Sequence, residues 1–197
     1  MYSLSGILIL APALWLALFP PTAVDALAYH LPAAKAYLQL HRVRPLLYLR
    51  FPVLPALGEM LFSGAMLLFD DVTAQLIEFL FLVLLLGALV AWSRRIRRPL
   101  VGLWSIGILA GTPSLMYFAS TAYVDVGLTA FTTLAFYALH CYSETGDTTW
   151  LPLAGALGGC AASTKHSGLI VLILIFVGSV VVARSHRLGL RRLTPLA

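Results

Sequence analysis

Charge is what this sequence has least of. Of 197 residues, 13 are Lys or Arg and 8 are Asp or Glu, 11% in all, against 60% hydrophobic residues. A soluble domain carries about 25% charged residues, so the composition excludes one. Disorder is excluded as well, because it needs low hydrophobicity and high net charge. Strict apolar–polar alternation is also missing, which rules out a membrane β-barrel. Cysteine is limited to Cys141 and Cys160, whose spacing offers neither a metal site nor a disulfide framework. No internal repeat of useful length is present, and no helical HxxxH or His–carboxylate pair supports a metal site.

What is present is a series of apolar runs close to or beyond the ~18–20 residues that cross a bilayer. They fall at about residues 3–19, 73–92, 101–120 and 126–142. A last run, 151–183, is interrupted by Ser163-Thr164-Lys165-His166-Ser167-Gly168. As one helix it would be ~50 Å long, too long for an ordinary single span, so it reads as a hairpin. The first run lacks the basic residues that open a signal peptide and reads as an uncleaved helix. The expected fold is all-α: a polytopic transmembrane helical bundle of about six spans.

Residues 51–69 are apolar too, but they contain Pro52, Pro55, Gly58, Glu59 and Gly64. The positive-inside rule decides whether they cross. If they do not, Arg94, Arg95, Arg97 and Arg98 share one side with Arg184, Arg187, Arg191 and Arg192. Both termini are then cytoplasmic in an integral protein of the cell's inner or plasma membrane. Residues 20–72 become a first extracytoplasmic loop of juxtamembrane helices, and 120–125 and 163–168 open on the same outer face. The net charge of +5 thus reports topology, and no nucleic-acid partner is expected.

Several polar groups gather on that outer face. Asp25 opens a stretch in which Leu27, Leu31, Ala34 and Leu38 follow helical spacing, with Pro32 set to kink or divide the helix. Asp125 lies in Ser120-Thr121-Ala122-Tyr123-Val124-Asp125, where one helix should emerge and the next return. Each carboxylate reads either as a plain N-cap or as a functional charge at the membrane boundary. Lys165 reads either as a snorkelling interfacial lysine or as a cation for a phosphate. Arg42, Arg44 and Arg50 are further cations in the first loop. His30 reads as an interfacial or capping side chain, and His140 as structural. Glu59 and Glu78 are carboxylates in apolar helices and need partners that the sequence does not name.

Three blocks occur in order over about residues 5–183: DALAYHLPAAKAYL, then RFPVLPALGEMLF, then the pair YVDVGLTAF and STKHSGL. Together they resemble the polytopic GT-C glycosyltransferases that use lipid-linked sugars. The likeness is to the RgtA/B/C/D-like group, related to protein O-mannosyltransferases and lipid A aminoarabinose transferases. The resemblance implies a catalytic carboxylate in the first outward loop, at Asp25, and a second functional one at Asp125. It also matches Arg50 to a basic residue that contacts the donor phosphate. Tyr29, His30, Glu59 and Lys165 complete the expected substrate-binding set. The implied donor is a polyprenyl-phosphate sugar, and the acceptor a lipid, glycan or protein outside the cytoplasm. No resident cofactor is expected, with a divalent cation at Asp125 as an open alternative. Members of that group are usually longer, so residues 1–197 are expected to form the N-terminal, truncated transmembrane catalytic module. Two rivals are a transporter or lipid flippase working through Glu59, Glu78 and Asp125, and a non-catalytic scaffold. The missing repeats count against the transporter.

Overall fold

The computed structural model describes residues 2–53 and 55–187, with residues 2–9 as helix backbone; Leu54, Arg191 and Arg192 lie outside the described residues. Among the described residues every regular element is a helix. Helix α1 spans Tyr2–Ala17, a π-helical turn Ala26–His30 leads into α2, Leu31–Leu40, and α3 covers Leu57–Met66. Then follow α4, Asp71–Arg95, α5, Pro99–Ala110, α6, Pro113–Ala119, and α7, Asp125–Thr145. A hairpin of α8, Trp150–Thr164, and α9, Gly168–Arg187, completes the described residues.

Helices α4 and α9 are long and apolar enough to cross a membrane, and α5 with α6 adds a third span if the bent pair is one. These are two or three spans by length and composition, against the six expected from the apolar runs. The run expected as one span over 101–120 is broken, with its two halves at 79°. Thr112 takes extended angles (φ −96°, ψ 102°) ahead of Pro113. A proline offers no N–H and pushes its predecessor out of the helical region, which accounts for the break. Residues 51–69 contribute only the ten-residue α3, about 15 Å of helix and too short to cross. The last run forms the expected hairpin.

Helices α4, α7 and α9 run parallel and α8 runs against them, which gathers the helix ends into two layers. The starts of α4, α7 and α9 and the end of α8 lie at one end of the bundle. At the other, Arg95 Nε donates to Glu144 Oε2 at 2.7 Å and lies over the Trp150 ring, and Tyr142 meets His186. The described arginines of the two basic clusters all belong to this second end. The core is built largely from small side chains. Ala13, Leu82, Leu85, Ala119, Val126 and Ala130 join α1, α4, α6 and α7. In a membrane no hydrophobic effect drives helices together, so close backbone approach through small residues supplies the packing energy.

The first loop is held to the bundle by polar ties. Gln75 Nε2 of α4 donates to the Phe19 carbonyl at 2.7 Å and the Ala17 carbonyl at 3.3 Å, where α1 ends. Lys35 Nζ donates to Asp71 Oδ2 at 2.6 Å, and Ser63 Oγ donates to the Ala34 and Glu59 carbonyls. Asp70 and Thr73 form a capping box at the head of α4.

Helix α3 also presses against the 120–125 loop, where a Cβ on Gly58 would collide with Val124 Cγ1. Gly58→Ala should therefore destabilise the protein by about 1–3 kcal/mol through overpacking. Thermal unfolding in detergent should show the loss, and adding Val124→Ala should recover part of it. Equal loss in both variants would remove Val124 as the cause.

Candidate active site

At the first end of the bundle the π-turn, α3, the 120–125 loop and the α8–α9 turn enclose a cleft of about 370 Å³. That is the size of a small-ligand site. Asp25, Tyr29, His30, Glu59, Asp125 and Lys165 all line it. Six of the seven residues expected from the sequence thus come together from segments up to 140 positions apart. The seventh, Arg50, is exposed and lies outside the lining, its guanidinium over the Phe51 ring at 5.5 Å. Phe51 itself lines the cleft.

Asp25 is more than a helix cap. Its backbone is helical (φ −68°, ψ −35°) and its side chain makes no capping bond. Instead its Oδ2 accepts a hydrogen bond from the Tyr29 hydroxyl at 2.9 Å. Pro32 explains the local geometry: its ring cannot sit against the carbonyl four residues back, and the preceding turn widens, with Leu31 N–H reaching Ala26 O. Burial, then the bond to Asp25, raises the Tyr29 pKa well above its ordinary value, so the phenol stays protonated as a donor. Burial raises the Tyr123 phenol as well, offset in part by the nearby Asp25 backbone N–H. Asp25 Oδ2 is thus held by Tyr29, and among the described residues Oδ1 takes no hydrogen bond.

His30 and Glu59 form the floor. Nδ1 of His30 lies 2.7 Å from Glu59 Oε1, and the two residues are 4% and 1% exposed. Tyr29 packs 4.3 Å from the imidazole, ring centre to ring centre, with Phe62 and Tyr123 edging it at 6.4 and 6.0 Å. The second oxygen of Glu59 is buried without a hydrogen-bond partner. The partner that Glu59 needed is therefore a histidine 29 positions earlier, and it pins the π-turn to α3.

Asp125 occupies the first turn of α7, and its side chain does not cap that helix. Its Oδ1 accepts from Lys165 Nζ at 2.7 Å, so Lys165 is ion-paired and not merely snorkelling. Lys165 is extended between α8 and α9, and its side chain is about half exposed. The cap of α7 comes from another helix: Glu78 Oε2 accepts from the Val126 and Gly127 N–H groups, each at 3.1 Å. Here is the partner of Glu78 that the sequence left unnamed. Among the described residues no group of three His, Cys, Asp or Glu side chains is placed to hold a metal ion.

Sequence reasoning passed over Tyr123, Phe51 and Thr164 in the lining. Tyr123 carried a signal, as an aromatic two residues before a boundary carboxylate. Residues 53–195 match the family model described as dolichyl-phosphate-mannose-protein mannosyltransferase. The chain belongs to that family. It is a membrane glycosyltransferase of the GT-C type, as the ordered blocks of its sequence indicated. No curated protein and no solved structure matches it. The family match contains Glu59, Asp125 and Lys165, whereas Asp25, Tyr29, His30 and Arg50 precede it.

The buried His30–Glu59 pair makes a direct test of how the floor is held. His30→Ala should cost about 3–5 kcal/mol by stranding a buried carboxylate. The double variant His30→Leu/Glu59→Leu should cost clearly less, because no charge remains unpaired. Chemical unfolding in mixed micelles measures both, and a double variant as unstable as the single one would refute the pairing account.

Proposed function

We propose that this cleft transfers a sugar from a polyprenyl-phosphate donor to a nucleophile on an extracytoplasmic acceptor, with Asp25 as general base. The observation that carries the reading is one cleft holding a carboxylate with a free oxygen, Asp25, together with a carboxylate-braced ammonium, Lys165. The family, described by its dolichyl-phosphate-mannose chemistry, supports the donor class.

The acceptor hydroxyl or amine gives its proton to Asp25 Oδ1 while its heteroatom attacks the anomeric carbon. The bond from that carbon to the phosphate oxygen breaks, and the polyprenyl phosphate departs with the negative charge. Lys165 has three N–H donors, of which one is given to Asp125, so the others are available to the leaving phosphate. A single displacement of this kind inverts the anomeric centre. Tyr29, Tyr123 and Phe51 offer ring faces to the sugar, and His30 with Glu59 forms the floor beneath it. Arg50, at the rim, is the nearest further cation for the phosphate. The Arg-bearing end of the bundle faces the cytoplasm under the positive-inside rule, which turns the cleft outward. In this reading the protein acts on a lipid, glycan or protein acceptor in the cell envelope and takes its donor from the surrounding membrane.

Radiolabel transfer from a polyprenyl-phosphate hexose to membrane acceptors tests the scheme. Loss of the base in Asp25→Asn should lower kcat by about 10²–10⁴. Lys165→Met should instead raise the donor KM. Full transfer by Asp25→Asn at equal expression would remove Asp25 as the base. Loss of transfer to a chelator, restored by Mg²⁺ or Mn²⁺, would assign Asp125 to a metal instead.

A further inference from the structure

Helix α7 begins at a carboxylate that does not cap it. Asp125 stands in the first turn, where an acidic side chain ordinarily turns back onto free N–H groups, yet its Oδ1 is committed to Lys165. The free N–H groups of Val126 and Gly127 are taken by Glu78 from α4, a residue 1% exposed and 48 positions earlier in sequence. The fit is close on every side. A Cβ on Gly127 would stand 3.1 Å from Glu78 Oε1 and 3.0 Å from the Phe81 ring. A carboxylate inside an apolar, membrane-length helix is costly unless it serves a defined partner, and here the partner is the start of the helix that bears Asp125.

We infer that Glu78 is a positioning residue for the site: by capping α7 from α4 it releases the Asp125 carboxylate to hold Lys165. Remove the Glu78 carboxylate, and two buried N–H groups lose their acceptor. The nearest replacement is Asp125 itself, which turns back to cap its own helix and lets Lys165 go. This deepens the proposed function, since it rests on Asp125 and Lys165 belonging to the cleft. Its readout, however, is independent of glycosyl transfer.

The sequence makes the test clean, for its only lysines are Lys35 and Lys165. Lys35 is paired with Asp71, away from α7, and serves as the internal reference. The purified protein in micelles is acetylated briefly with acetic anhydride, and the ratio of label at Lys165 to label at Lys35 is read by mass spectrometry. An ammonium held on a carboxylate acetylates slowly. Asp125→Asn should raise the ratio by about threefold, the scale of an exposed ion pair. Glu78→Ala should raise it equally, whereas Glu78→Gln, which keeps a carbonyl oxygen for the N–H groups, should stay at the wild-type ratio. General loosening of the bundle would raise both lysines together and leave the ratio unchanged. A wild-type ratio in Glu78→Ala overturns the proposal. Should that variant fail to fold, Gly127→Ala crowds the carboxylate without removing it and should shift the ratio the same way. An unchanged ratio there overturns it equally. An inactive transfer assay leaves these outcomes unaffected, so the two readings fail separately.

Discussion

Two polar side chains buried in an otherwise apolar helix organise this molecule. Gln75 and Glu78 stand one turn apart on α4, each 2% exposed or less, in an environment where an unpaired polar group costs several kcal/mol. Each finds backbone to bond, and each bonds the backbone of a segment that leads to a cleft carboxylate. Gln75 holds the carbonyls where α1 ends, six residues before Asp25, and Glu78 holds the N–H groups that follow Asp125. One face of one helix therefore sets the base of both approaches to the cleft. The rest of the first loop follows from that anchorage, through Lys35 on Asp71 and Ser63 on α2.

The cleft itself is made of pairs drawn from different segments. Tyr29 serves Asp25, His30 serves Glu59, and Lys165 serves Asp125. Three carboxylates could not share so small a space unpaired, since like charges a few ångströms apart repel strongly where water is scarce. Each partner also fixes a direction, so the pairs that reduce repulsion also orient the groups. The same economy of small residues that lets α7, α8 and α9 pack closely brings Lys165 within reach of Asp125 from 40 positions away.

Much of this was legible in the sequence, and the limits have physical causes. The apolar runs gave the helices, and the unequal placement of arginine put 20–72, 120–125 and 163–168 together. The structure joins those three segments around the cleft. Asp25 and Asp125 could be singled out because the topology puts both carboxylates on one membrane face, at the boundary. Whether they capped helices could not be read, because capping depends on what else can reach the free N–H groups. For α7 that was Glu78, whose side chain gives no hint of its target. The His30–Glu59 pair was hidden for the same reason: contact across 29 positions has no periodicity. The break at Thr112-Pro113 was visible as residues but was overridden by the high hydropathy of the whole run.

The two aspartates are not equivalent, and the difference supports the separate roles proposed for them. Asp125 is bound to a full positive charge and stands on a 21-residue helix whose start is capped from outside. A carboxylate so engaged would have to break an ion pair before accepting a proton, and doing so would release Lys165, the cation proposed to meet the departing phosphate. Asp25 gives up nothing of the kind. Among the described residues its side-chain partner is a phenol that burial keeps protonated, and that bond occupies one oxygen while leaving the other. In the proposed scheme proton acceptance therefore falls to Asp25, and the orientation of charge to Asp125. The division rests on what each carboxylate is already bonded to.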